Sequence, residues 1–99
     1  MMLLDDNRVR PFQPLPGTKH EEHPVNTLFT VTVPLNCSEV MVQAITQNIR
    51  YTMDGTNPTA ASGFRLTAGN VPVILPAFGV TLKFISETAG AILQIEYGK

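Results

Sequence analysis

Apolar and polar residues alternate in short runs over most of this chain. Residues 27–33 (TLFTVTV) set Phe29, Val31 and Val33 on one side and Thr30 and Thr32 on the other. That two-residue period is the mark of a half-buried strand. Residues 39–45 (EVMVQAI) repeat it with Val40, Val42 and Ala44. Their β-branched content and short length favour a strand over a helix. Residues 48–53 align Ile49, Tyr51 and Met53, and Asp54-Gly55 then signals a tight turn. Further strands are expected over residues 64–67, 71–75, 80–86 and 91–97. Pro72 and Pro76 confine the run at 71–75 to a sheet edge, because proline donates no ladder hydrogen bond. The last run turns Ala91, Leu93, Ile95 and Tyr97 inward. About seven short strands spaced by turns, with no helical period, predict a small antiparallel all-β domain, a sandwich or a barrel.

The first 26 residues break this pattern. Leu3, Leu4, Val9, Phe12 and Leu15 are apolar without period. Pro11, Pro14, Pro16 and Pro24 exclude a long helix and favour extended backbone. Seven of the fifteen charged residues and both histidines also lie here. The division expected is an extended, Pro-rich arm over residues 1–26 and a β-sandwich domain over residues 27–99. The arm's apolar content exceeds that of a disordered tail. It is therefore expected to lie on a neighbour, with Leu3, Leu4, Arg8, Val9, Arg10, Phe12 and Leu15 as its partner-binding residues.

Charge sharpens the picture. The 73 residues of the predicted domain hold eight charges, four of each sign, well under the ~25% of an average soluble domain. A domain this small buries only ~60% of its unfolded surface. Cys37 is the sole cysteine, so no intrachain disulfide supports it. Association into a homo-oligomer, or docking on a larger body, is the expected support. The near-neutral balance gives no footprint for nucleic acid. No apolar stretch is long enough to span a membrane, and Met1 to Leu4 is too short for a secretory signal. The chain is expected to be made in a cytoplasm.

Candidate chemistry is sparse. His20-Glu21-Glu22-His23 gathers metal-capable side chains. However, its histidines are three apart and Pro24 follows, unlike the HExxH helix of a zinc site. A solvated or docked charged patch is expected there, with no metal. Cys37 has no neighbouring base and is expected to be a packed structural thiol. The serines lack an elbow or triad setting, and the glycines form no phosphate loop. Neither an enzyme nor a cofactor is expected. The most specific string is residues 51–59, YTMDGTNPT. Tyr51, Asp54, Gly55 and Pro58 are expected to form a structural turn. Asp54 accepts backbone hydrogen bonds, Gly55 takes positive φ, and Pro58 stops further pairing.

Residues 49–66, IRYTMDGTNPTAASGFRL, resemble two groups that share a YTxDGTxPT signature. One is the β-sandwich module at the C-terminal end of chitobiase-type enzymes, an accessory domain without catalytic residues. The other is a set of small virion proteins of tailed bacteriophages. That second resemblance runs from about Val40 to the C-terminus. It includes Leu82-Lys83-Phe84-Ile85 and the stretch from Ala89 to Tyr97, AGAILQIEY. It implies a jelly-roll-like sandwich and a capsid decoration, or cement, protein that binds the major capsid protein on the outside of the virion, as a trimer. A tail, neck or fibre component of the phage is the first alternative. A non-catalytic carbohydrate-binding accessory module is the second.

Overall fold

The computed structural model describes residues 11–99. The described residues form eight strands: β1 (Glu21–Pro24), β2 (Phe29–Thr30), β3 (Glu39–Ile45), β4 (Ile49–Thr52), β5 (Phe64–Leu66), β6 (Val73–Pro76), β7 (Lys83–Ser86) and β8 (Ile92–Gly98). No helix occurs among the described residues. The first sheet has the order β1-β8-β3-β6 and the second β2-β7-β4-β5, and every strand pair is antiparallel.

The pairing follows one rule. The first strand pairs with the last, the second with the seventh, the third with the sixth and the fourth with the fifth. The chain is thus one long hairpin whose tip is the loop at residues 53–63. The ribbon is rolled so that β8 also meets β3, and β7 also meets β4. This is the jelly roll, a sandwich of two four-stranded sheets.

Alternation places the core between the sheets. Val40, Val42 and Ala44 on β3 and Leu93, Ile95 and Tyr97 on β8 face inward. Opposite them stand Ile49, Leu66 and Phe84, with Leu82 just before β7. The strand over 39–45 matches its expected bounds. The run at 27–33 forms a ladder only at Phe29–Thr30. Burial still alternates along it, with Val31 buried and Thr30 and Thr32 exposed. β6 lies at a sheet edge, as its prolines require.

One expectation is corrected. The segment read as an extended arm lying on a neighbour belongs to the sandwich from Phe12 onward. Glu21–Pro24 forms β1 along one edge of β8. Pro14 bridges Gly98, and Leu15 N–H donates to the Tyr97 carbonyl at 2.9 Å. Leu15 and Val25 join the core at 8% and 0% exposure, so Leu15 is not free to anchor on a neighbour. Proline excludes a helix but fits an edge strand, where one N–H side needs no partner. A turn at Pro16-Gly17 interrupts the alternation, which hides the strand in the sequence.

Leu15→Ala is expected to cost the isolated chain about 2–5 kcal/mol in denaturant unfolding, the range for a buried leucine. An anchor lying on a neighbour would leave that stability unchanged.

Candidate interaction surface

Of the arm residues expected to bind a partner, Leu3, Leu4, Arg8, Val9 and Arg10 lie outside the described residues. Phe12 is half-buried. Its ring rests on Gly98, where any Cβ would collide with its Cε1 and Cζ. The Lys99 N–H donates to the Gln13 carbonyl at 2.9 Å, closing this end of the sheet.

The histidine-glutamate cluster is divided by the strand's alternation. Glu21 and His23 stand opposite Ile95 and Leu93, on the core side of β1. Glu21 Oε1 accepts from Tyr97 Oη and from His23 Nε2, both at 2.8 Å. The His23 ring stacks on Phe29 of the other sheet, with centroids 4.3 Å apart. This clasp closes the open side of the sandwich between β1 and β2. The His23 hydrogen bond, with help from the Tyr97 hydroxyl, holds the Glu21 carboxyl below its ordinary range against the opposing effect of burial. Burial, and then the Glu21 carboxylate, push the Tyr97 phenol well up. His20 and Glu22 point to the outer side. No group of three or more metal-capable side chains is positioned to hold an ion among the described residues.

The hairpin tip is built by local hydrogen bonds. Asp54 Oδ1 accepts from Thr56 N–H at 3.1 Å and from Thr56 Oγ1 at 2.6 Å, which lowers its pKa. Gly55 has φ +85°. Pro58 is buried under the loop. Gly63, at φ +119°, is required for close approach: a Cβ there would come within 2.9 Å of the Tyr51 carbonyl oxygen. Tyr51 is half-buried and tilts against Phe64 and Phe84, with centroids 5.6 and 5.8 Å away. The buried Cys37 thiol donates to the Glu39 carbonyl at 3.3 Å.

Glu87, just after β7, was not singled out by sequence. Its carboxylate accepts from Arg65 Nε at 2.7 Å and from Arg50 Nε at 2.5 Å. The Arg65 bond is the main reason its pKa is lowered. Arg50 also reaches the Gly63 carbonyl at 2.9 Å, tying β4, β5 and β7 at the outer face of the second sheet.

Two features of the surface emerge only from the fold. First, the loops at one end of the sandwich, residues 31–38, 53–63 and 77–82, contain a single charge, Asp54. They are joined to one another. Ala77 N–H donates to the Ser38 carbonyl at 3.0 Å, and Asp54 bridges Thr81. On this end Leu35 and Phe78 are 87% and 82% exposed. Second, charge is sorted by sheet. Among the described residues, the strands of the first sheet carry only acidic charges, at Glu21, Glu22, Glu39 and Glu96. Those of the second carry only basic ones, at Arg50, Arg65 and Lys83. Neither feature has a local signature, because Leu35 and Phe78 look like core residues in the sequence.

The lowered Glu21 carboxyl sets a pH dependence. Its unfolded form binds a proton more tightly than its folded form. The clasp therefore contributes fully above the unfolded value of ~4.3, and the contribution disappears as pH falls through the lower folded value. Urea midpoints measured across the acid range are expected to fall more steeply for the unaltered chain than for Glu21→Gln. Equal slopes would remove Glu21 as a source of acid sensitivity. In comparisons with family models, with curated proteins and with solved structures, the chain matches none.

Proposed function

We propose that this chain is a structural, non-enzymatic virion protein of a tailed phage, a decoration protein that binds the major capsid protein on the outside of the head. The observation that carries the reading is the neutral loop end with Leu35 and Phe78 standing almost free of their own chain. Large apolar side chains held out on a rigid frame are the usual anchors of a protein interface. Here the frame is rigid because hydrogen bonds join the three loops. Such anchors enter preformed pockets with little loss of conformational freedom. The jelly-roll order and the phage-type motif agree with this reading, and the small core agrees with a trimer.

In this mechanism the loop end seats on the shell, and the anchors exclude water at the centre of the contact. The Thr, Ser and Asn residues around them hydrogen-bond at the rim. The three loops hold one charge among them, so their anchors make an apolar rather than an ionic contact. Many copies, each bridging neighbouring capsid subunits, then hold the shell together by multivalency.

Leu35→Asp and Phe78→Asp are each expected to leave stability within about 0.5 kcal/mol, since both side chains are exposed. Each is expected to weaken co-sedimentation with capsids by roughly thirtyfold or more, the size of a hot-spot loss. Undiminished binding by both variants would exclude this end as the contact. Light scattering of the purified chain is expected to give three times the chain mass. Copy number per particle separates shell from tail, since a shell protein is present in hundreds of copies and a neck or fibre component in few.

A further inference from the structure

The outer face of the first sheet holds a concavity that the shell contact leaves unused. It measures about 350 Å³. Its floor is two register pairs, Met41 beside Glu96 and Gln43 beside Gln94, on the side of β3 and β8 that points away from the core. The segment before β1 raises one wall with Phe12, Pro14 and His20, and Pro72 contributes to the lining from the segment before β6.

We propose that this concavity is a binding site for a neutral sugar ring. The polar groups are already oriented. Gln43 Nε2 is anchored on the Asn70 carbonyl at 2.9 Å, which turns its Oε1 into an acceptor for a ligand. His20 Nε2 donates to Gln94 Oε1, which leaves the Gln94 Nε2 hydrogens as donors. Glu96 Oε1, 3.7 Å from His20 Nδ1, adds an acceptor for a ligand hydroxyl at the same end of the concavity. Planar amide and carboxylate groups spaced along adjacent strands match the vicinal hydroxyls of a pyranose. Phe12, Met41 and the two prolines supply apolar contact for its C–H face.

The charge pattern selects among ligands. Among the described residues no Lys or Arg lines the concavity, and the strands beneath it carry only acidic charges. Phosphate, sulfate and acidic sugars are therefore repelled. The volume is at the small end of ligand pockets, which suits one or two rings rather than an extended peptide. A single site of this kind binds weakly, and repetition of the chain over a particle would turn weak sites into firm attachment. The inference does not rest on the shell-binding reading, because the loop end and this concavity lie on different surfaces.

The test is an NMR titration of the isotope-labelled, full-length chain with glucose, galactose, N-acetylglucosamine and N-acetylgalactosamine, each added separately. At least one sugar is expected to shift the side-chain amide signals of Gln43 and Gln94 and the Met41 methyl, with saturation. Both outside the core, Glu96→Ala is expected to weaken that sugar by about tenfold, the loss for a hydrogen bond to a charged group, and Gln94→Ala by about fivefold, the loss for a neutral one, while the rest of the spectrum stays folded. Shifts that are absent with all four sugars, or equal in both variants, overturn the proposal. Shifts produced by arginine amide and by none of the sugars overturn it as well, and assign the acidic face to a cationic side chain instead. Capsid co-sedimentation by the same variants separates the two functions: it is expected to be unchanged.

Discussion

The seven-residue ladder between β3 and β8 is the contact on which the rest of the molecule depends. Each strand is central in the first sheet, and each turns three apolar residues into the core. Their pairing brings residues 39–45, from the interior of the chain, beside residues 92–98 in the middle of one sheet. Once it exists, β8 offers a free edge to β1 and β3 offers one to β6. The second sheet is then the other half of the same ribbon, folded across the first. A jelly roll needs no helix and no disulfide to cover its core, because each sheet is the other's cover.

Much of this was legible in the chain. The runs at 39–45 and 91–97 alternate without interruption because both lie centrally and bury one full side. The edge position of β6 could be read from Pro72 and Pro76. The order of the strands could not, since pairing between residues more than seventy apart has no local signature. β1 was also hidden. Its sequence, EEHP, carries no apolar residue at either inward position. The polar side chains Glu21 and His23 stand there instead, satisfied by each other and by Tyr97. A buried polar group is tolerated when its partners are present, and no rule of alternation reports partners.

The surface residues divide the same way. The turn at Asp54-Gly55 follows from local chemistry, and sequence reasoning reaches it. Leu35 and Phe78 were opaque for the opposite reason. A leucine and a phenylalanine in turn-rich segments are indistinguishable from core residues until the loops around them are placed. The sorting of acids to one sheet and bases to the other is likewise a property of topology. The acids lie on strands toward the two ends of the ribbon and the bases on strands around its tip, and the roll gathers the two groups on different sheets.

The rolled ribbon also dictates an order of events. The hairpin of β4 and β5 closes only the loop at the ribbon tip, so it carries the smallest entropic cost of any pair. β1 sits at the far end of the same ribbon. Its partner, β8, does not exist until residue 98 has been made, so during synthesis β1 has no edge to join. Of the described strands, β1 therefore leaves the ribosome first and is the last to find its place. Until it does, Leu93, Ile95 and Tyr97 lie beside an uncovered edge that a second chain can occupy as readily as the first.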